Sequence, residues 1–253
     1  MFIDSHAHLT DKKILPNLQA VREEYLTSGV RLVVDSGYSL ETSVLAKQNA
    51  ERYNEVYFTA GYHPDVAGFV SESAISALKP LISHQKCLAV GETGLDYHYL
   101  NFSKEEQIKA FKLQLNLAVE TGLPVIVHSR DACKDTVDIL KEYAKSLKGF
   151  LMHCYSESKE TAKILVDLGA YFSFGGVVTF KNAKKEEIIK SIPKERILLE
   201  TDCPYMSPEP HRGKVNSPKY MPYIYNKVSD IYGEDVTDFA LTVKANFERF
   251  FKK

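Results

Sequence analysis

The sequence predicts an α/β protein with the fold of a (β/α)8 barrel, also called a TIM barrel. Short runs rich in β-branched and aromatic residues alternate with longer amphipathic segments along the whole chain, a pattern typical of parallel strands joined by helices. The chain has 253 residues, a length common for one such barrel. No low-complexity linker interrupts it, so we expect a single domain over residues 1–253.

Eight segments have the composition of strands. Their carboxyl ends follow one another at nearly even intervals, which favours a closed barrel over two doubly wound domains. The segments are Phe2 to Asp4, Arg31 to Ser36, Val56 to Gly61, Cys87 to Gly91, Val125 to His128, Phe150 to Cys154, Tyr171 to Phe174 and Ile197 to Asp202.

Nine segments have the apolar spacing of helices, seven between the strands and two after a proline-containing loop that follows Asp202. In the first of them, Leu18, Val21 and Tyr25 recur at helical intervals. The segments are Asn17 to Ser28, Glu41 to Arg52, Ser71 to Ser83, Lys104 to Glu120, Ala132 to Ser146, Lys159 to Leu168, Ala183 to Ser191, Tyr220 to Tyr232 and Val236 to Phe250.

Charge and cysteine content exclude several classes of protein. Lys and Arg total 32 against 33 for Asp and Glu, which argues against a nucleic-acid coat or a membrane-surface protein. Without a CxxC pair, the cysteines indicate neither a disulfide framework nor a cysteine zinc knuckle. The chain shows no signal-peptide pattern and no apolar stretch of about 18 residues. We therefore expect a cytoplasmic protein with no membrane contact and no obligate protein partner.

Residue types that bind metals stand at the ends of five predicted strands. His6 and His8 follow the first strand, and the two-residue period of an extended chain places both imidazoles on one face. The carboxyl ends of barrel strands converge on one face, where active sites lie. The other residues of the set are Glu92 at the end of the fourth strand, His128 at the end of the fifth, His153 at the end of the sixth and Asp202 at the end of the eighth.

Taken singly, each of these residues has a structural alternative, since a lone strand-end histidine commonly packs or forms a hydrogen bond. Burying the whole set without a cation would be costly. Six ligands exceed the three of a mononuclear catalytic zinc, whereas two divalent ions sharing a bridging carboxylate would use them all. Imidazole and carboxylate ligands without thiolate suit Zn, Mn, Fe or Co, and the carboxylates also allow Mg. The chemistry that follows is hydrolysis.

The order of these motifs resembles the TatD family, the metal-dependent deoxyribonuclease branch of the amidohydrolase superfamily. The resemblance covers the chain from residue 2 to about Phe250. The motifs are DSHAHL at the start, GYHP at Gly61 to Pro64, GETGLDYH at Gly91 to His98, HSRDA at His128 to Ala132, HCYS at His153 to Ser156 and LLETDCPY at Leu198 to Tyr205.

The resemblance implies a role for each candidate ligand. His6 and His8 with Asp202 would hold one metal, His128 and His153 the other, and Glu92 would bridge them. Asp202 would also accept the proton of the attacking water. Asp202, as this acceptor, and Glu92, as the bridging ligand, would be the catalytic residues. The fold would be a TIM barrel of the metal-dependent hydrolase type.

The activity implied is hydrolysis of ester bonds in DNA, as a 3'-5' exonuclease on single-stranded DNA. Arg212 and Lys214, just beyond the eighth strand, add weak support for a phosphate-bearing substrate. A small-molecule amidohydrolase or esterase using the same binuclear site is the alternative. A third class of function is a barrel that binds metal or nucleic acid without turnover. Such a protein would not need a water molecule that the metals can activate.

His63 and Arg212 are the candidate substrate-binding residues. By resemblance, His63 in GYHP would contact the substrate phosphate or a metal-bound water, and its structural alternative is to cap the turn before Pro64. An RGxxN segment lies beside the substrate phosphate in the family, which assigns Arg212 to binding. A solvated loop arginine is the alternative reading of Arg212.

Other residues near the strand ends keep two readings each. Glu200 is placed on the same strand as Asp202, either supporting a ligand or filling the barrel interior. The aromatic run Tyr97, His98 and Tyr99 would stack on a base or pack over the barrel mouth. A lysine group after the seventh strand would track a nucleic-acid backbone or begin an exposed helix, and its members are Lys181, Lys184 and Lys185.

Overall fold

Strands alternate with helices along the chain in the computed structural model, which describes residues 1–251. The strands are β1 Phe2–Ala7, β2 Val30–Ser36, β3 Val56–Ala60, β4 Cys87–Asp96, β5 Val125–Arg130, β6 Phe150–Met152, β7 Tyr171–Phe174 and β8 Ile197–Leu199. The helices are α1 Leu18–Thr27, α2 Leu40–Arg52, α3 Glu72–Ile82, α4 Lys104–Thr121, α5 Cys133–Tyr143, α6 Lys159–Asp167, α7 Glu186–Ser191, α8 Met221–Tyr232 and α9 Val236–Phe251.

The strands form one sheet in the order β1 to β8. The pairings of β1 with β2, of β3 to β6 in succession and of β7 with β8 are all parallel. Parallel strands in chain order, each followed by a helix, define a (β/α)8 fold. The predicted fold class is confirmed.

Six strands end elsewhere than the sequence predicts: β1, β4 and β5 continue further along the chain, and β3, β6 and β8 stop earlier. β4 continues beyond Gly91 to Asp96, while β8 stops at Leu199. The prediction that Glu200 and Asp202 belong to one strand is therefore wrong. Asp202 has a φ of 53°, which lies outside the extended region that strands require.

The chain divides into two compact units, and the expectation of a single domain over residues 1–253 stays a prediction. The first unit comprises Met1–Asp35, Cys154–Val166 and the chain from Phe172 onward. The second is formed mainly by Ser36–His153.

In the first unit, the amino-terminal strand is held by residues near the other end of the chain. The Tyr225 hydroxyl of α8 accepts a hydrogen bond from Ile3 N–H and donates one to Ile3 C=O, each at 3.1 Å. The backbone amide of Asp202 donates to the carbonyl of His6 at 3.0 Å, and that of His8 donates to the carbonyl of Cys203 at 2.9 Å. The end of β1 is thus fixed to the segment that follows β8.

In the second unit, β4 and β5 run in register with Gly94 opposite His128. A Cβ at Gly94 would lie 2.0 Å from the His128 carbonyl oxygen, and one at Gly91 would lie 2.8 Å from the Ile126 carbonyl oxygen. Both glycines also have φ near +140°, a conformation that side chains disfavour. The two glycines of the GETG motif thus allow the close approach of β4 to β5.

No helix within residues 1–251 is both long enough and apolar enough to cross a membrane.

Candidate metal centre

The first ligand cluster consists of His6, His8 and Asp202, all buried. The Nε2 atoms of His6 and His8 are 3.3 Å apart. Asp202 Oδ1 lies 3.3 Å from His8 Nε2 and 3.8 Å from His6 Nε2. The backbone hydrogen bonds between β1 and the segment after β8 set this spacing, because they fix the main chain on both sides of the cluster.

These distances fit the requirements of a bound divalent ion. Ligand atoms about 2.0–2.1 Å from a tetrahedral zinc lie about 3.3 Å from one another. The two pairs at 3.3 Å in the first ligand cluster match this value. Imidazole nitrogens and a carboxylate oxygen are also the donors that such ions prefer.

The second ligand cluster consists of Glu92, His128, His153 and His63. One carboxylate oxygen, Glu92 Oε1, lies 2.9 Å from His153 Nε2, 3.0 Å from His128 Nδ1 and 3.6 Å from His63 Nε2. His128 Nδ1 is 3.2 Å from His153 Nε2, again the spacing of two ligands on one ion. The atoms of His63, Glu92 and His128 that could bind a metal all lie within 4.8 Å of one another.

The carboxylate of the second cluster suits a cation, whereas His128 would have to be deprotonated to bind one. Burial alone would raise the pKa of Glu92, but the adjacent imidazoles of His153, His63 and His128 hold it well below the ordinary value. Glu92 is therefore an anion. Burial lowers the pKa of His128, but its hydrogen bonds to Asp96 and Glu92 outweigh this effect and the pKa is raised.

Asp96 is a functional residue that the sequence reasoning missed. Its Oδ2 lies 3.0 Å from His128 Nε2, so the imidazole directs Nε2 toward Asp96 and Nδ1 toward Glu92. A carboxylate on the far nitrogen of a ligand histidine fixes its tautomer and ring orientation. The only signal in the sequence was the position of Asp96 within GETGLDYH, which the interpretation did not use.

His63 caps a turn, as one of its two readings predicts, and its contact with a substrate phosphate or a metal-bound water stays a prediction. Its Nδ1 accepts a hydrogen bond from the Asp65 amide at 3.1 Å, which caps the turn that begins at Pro64. Its Nε2 faces Glu92 at 3.6 Å. When the ring is neutral, Nε2 carries the proton, because Nδ1 acts as an acceptor. His63 can therefore donate a hydrogen bond within the second cluster.

Glu200 supports the backbone near a ligand. It is fully buried and accepts hydrogen bonds from the Cys154 amide at 2.7 Å and from the Ser173 hydroxyl. Cys154, which follows His153 directly, has a φ of 46°. The contacts of Glu200 thus hold the peptide after His153 in a conformation that non-glycine residues rarely adopt.

Arg212 lies in an exposed loop of the first unit, with its guanidinium carbon 4.5 Å from the centre of the Phe180 ring. This contact orients the side chain by a cation–π interaction, so Arg212 is more than a solvated arginine. Its predicted role in substrate binding stays a prediction.

Lys185 is the N-cap residue of α7, which starts at Glu186, whereas Lys184, with a φ of 47°, lies in the loop before the helix. The helix-start expectation is thus confirmed for Lys185, and contact of the group with a nucleic-acid backbone stays a prediction. Lys185 is half-buried and its Nζ lies 3.3 Å from the Ser156 carbonyl and 3.5 Å from the Tyr155 carbonyl. Lys185 therefore ties the HCYS segment to the loop after β7 rather than standing in solvent.

A family model described as TatD related DNase matches residues 3–252. The chain belongs to the TatD family.

Relatives and solved structures of TatD proteins agree with this membership. The chain is 39% identical to the uncharacterised metal-dependent hydrolase YabD of Bacillus subtilis (strain 168), covering 100% of this chain and 99% of YabD. It is 30% identical to the 3'-5' ssDNA/RNA exonuclease TatD of Escherichia fergusonii, with 98% of each chain covered. The crystal structure of YJJV, a TatD homologue from Escherichia coli K12, superposes with a TM-score of 0.90 at 27% identity, covering 100% of this chain and 98% of that one. The protein is therefore a TatD-type metal-dependent hydrolase.

Within this TatD chain, Asp96→Asn should weaken metal binding about 10- to 100-fold. Asn Oδ1 can still accept from the His98 and Tyr99 amides, as Asp96 Oδ1 does at 2.9 Å. Its amide group would then face His128 Nε2 and force the imidazole proton onto Nδ1, the nitrogen needed for a metal. Competition with a chromogenic chelator measures the affinity.

Asp138→Asn is the matched control, because Asp138 pairs only with surface lysines in the described contacts, Lys134 at 2.7 Å and Lys141 at 3.2 Å. Its affinity should equal that of the wild type. Equal affinities for all three proteins would show that Asp96 does not orient His128.

Proposed function

We propose that the protein hydrolyses phosphodiester bonds of single-stranded DNA from the 3' end with the help of two divalent ions. The observation that carries the proposal is the spacing of ligand atoms in both clusters, 3.3 Å in the first and 3.2 Å in the second. The name of the Escherichia fergusonii relative, a 3'-5' ssDNA/RNA exonuclease, supports the substrate class and direction.

The ligands divide between the ions as the family resemblance implies. His6, His8 and Asp202 would hold one ion, and His128 and His153 the other. Glu92 would be shared, a role that suits a buried carboxylate whose pKa lies well below the ordinary value. Zn, Mn and Mg all remain compatible with nitrogen and oxygen donors. Bound ions would supply Lewis-acid chemistry, acidifying water and neutralising negative charge on a phosphoryl group.

The protein's own side chains would supply the remaining steps. Asp202 offers a carboxylate that can accept the proton of the attacking water. His63, with its Nε2–H, would donate to an oxygen of the substrate phosphate. The Arg212 guanidinium, which is held against Phe180, would bind a phosphate in the planar, two-pronged manner of arginine.

A nuclease assay tests the proposal. End-labelled single-stranded DNA is incubated with the purified protein after metal analysis, with Zn, Mn and Mg supplied separately. We expect shortening from the 3' end that EDTA abolishes and that is lost in His128→Ala. Hydrolysis at the wild-type rate by EDTA-treated protein or by His128→Ala would refute the mechanism.

The alternative function, a small-molecule amidohydrolase or esterase, is distinguished in the same experiment. Simple esters and amides are offered beside the oligonucleotides under the same metals. Turnover of those compounds without shortening of DNA would favour the alternative. Oligonucleotide binding without turnover under any metal would favour a binding protein.

A further inference from the structure

An exposed tyrosine and an exposed arginine lie against each other in the second unit. Tyr99 follows β4 and is 53% exposed. The guanidinium carbon of Arg130, at the end of β5, lies 4.8 Å from the centre of the Tyr99 ring. The pair thus combines a flat aromatic surface with a fixed positive charge, the two elements with which proteins bind unpaired nucleotides.

This pair is attached to the second ligand cluster. Asp96 Oδ2 bonds His128, while Asp96 Oδ1 accepts hydrogen bonds from the amides of His98 and Tyr99, both at 2.9 Å. Arg130 stands two residues after His128 in β5, and the two-residue period of a strand places their side chains on the same face. The geometry that orients His128 therefore also fixes the positions of Tyr99 and Arg130.

We propose that Tyr99 and Arg130 form a nucleotide subsite in which the tyrosine ring stacks on an unpaired base and the guanidinium binds the phosphate of that nucleotide. The inference rests on the proposed function and adds to it a means of binding the substrate outside the ligand clusters. Its ligand is a single-stranded nucleic acid, because a base within a duplex is already stacked on both faces.

The surroundings of the pair support binding over packing. The His98 ring stands perpendicular to the Tyr99 ring, with 4.7 Å between ring centres and an angle of 89°. Asp131, the acidic neighbour of Arg130, lies 2.9 Å from His98 Nδ1. A tyrosine that served to cover the strand ends would bury its ring, whereas about half of Tyr99 is exposed.

A second cation near the subsite offsets the nearby carboxylates of Asp131 and Asp135. Lys104, at the start of α4, lies with its Nζ 4.3 Å from the centre of the Tyr97 ring. Lys104 and Arg130 thus each sit over a tyrosine of the same loop. Neutralising a phosphate with such a side chain makes the affinity depend on salt concentration. Because the net charge of the chain is nearly zero, DNA would contact only a small local patch of cations.

Fluorescence anisotropy tests the subsite. The as-purified protein is titrated into a short fluorescein-labelled oligothymidylate with phosphorothioate links, which resist hydrolysis. Base stacking is worth about 1–3 kcal/mol, so Tyr99→Leu should weaken binding about 5- to 150-fold. Tyr99→Phe keeps the ring and should bind within about twofold of the wild type. Arg130→Gln should lower the slope of log affinity against log salt by about one.

Tyr57→Leu is the control, because Tyr57 on β3 is also a tyrosine beside a cation, with Lys86 Nζ 5.6 Å from the centre of its ring. Its affinity should not change. Thermal unfolding of each variant checks folding, and Arg130→Gln provides a second test if Tyr99→Leu is unstable.

An oligonucleotide with abasic sites separates stacking from other contacts. It should bind the wild type as weakly as the normal oligonucleotide binds Tyr99→Leu, and Tyr99→Leu should bind both equally. The proposal is overturned if the folded Tyr99→Leu protein binds the normal oligonucleotide like the wild type. Wild-type binding that depends on Tyr99, without hydrolysis of an ordinary phosphodiester strand, would contradict the proposed function and leave the subsite standing.

Discussion

Glu92→Gln should reduce hydrolysis of single-stranded DNA about a thousandfold, equivalent to about 4 kcal/mol of transition-state stabilisation. The substitution keeps the size of the side chain but removes the negative charge of a buried carboxylate that faces three imidazoles. An amide group directed at those nitrogens would add a donor where a metal requires lone pairs. Turnover of end-labelled DNA and the metal content per protein chain measure the effect.

Glu142→Gln provides the control, since Glu142 is 56% exposed and pairs with Lys112 at 2.7 Å on the surface. Its activity should match that of the wild type. A Glu92→Gln protein with full metal content and full activity would show that Glu92 is neither a metal ligand nor a catalytic residue.

Gly94→Ala should lower the free energy of unfolding by about 3–5 kcal/mol. The added methyl would lie 2.0 Å from the carbonyl oxygen of His128, so β4 and β5 would have to separate. For a chain of this size the midpoint of thermal unfolding would fall by about 6–20 °C. Calorimetry measures the shift, and metal binding should weaken as well because Glu92 would move away from His128.

Gly169→Ala separates overlap from backbone strain. Gly169 has a φ of +90° and no atom within 4 Å of an added Cβ. Only the cost of the left-handed conformation applies, about 1–2 kcal/mol. If the free energy of unfolding of Gly94→Ala were no lower than that of Gly169→Ala, the overlap between β4 and β5 would not be the cause of the destabilisation.

The order of strands and helices could be predicted because each element carries its own periodicity. β7 was predicted with its bounds as observed, and α2 differs from its prediction by one residue. The strand ends at β4 and β8 were wrong because they depend on contacts with other parts of the chain. β4 continues through Gly94 since β5 pairs with it, and after β8 the amide of Thr201 bonds the Asp4 side-chain carboxylate instead of a backbone carbonyl.

The candidate ligands could be predicted from residue type and position at strand ends, but their supporting residues could not. Asp96 bonds His128 across 32 positions of sequence, and Glu200 bonds Cys154 across 46. A carboxylate that orients a histidine has the same sequence pattern as one that caps a turn. Lys185 resembled an exposed helix residue for the same reason, because its carbonyl partners lie in a distant segment.

The attachment of β1 to residues after β8 has a consequence for synthesis of the protein. Asp4 and Thr201 bond each other across 197 positions of sequence, and Ile3 and Tyr225 across 222. A growing chain emerges from the ribosome with its amino end first, so β1 must wait until partners 197 and 222 positions later have been synthesised. Until then the first ligand cluster has its histidines without Asp202. A translation product that stops short of the eighth strand would therefore carry an incomplete first cluster and an unpaired strand edge, a template for aggregation.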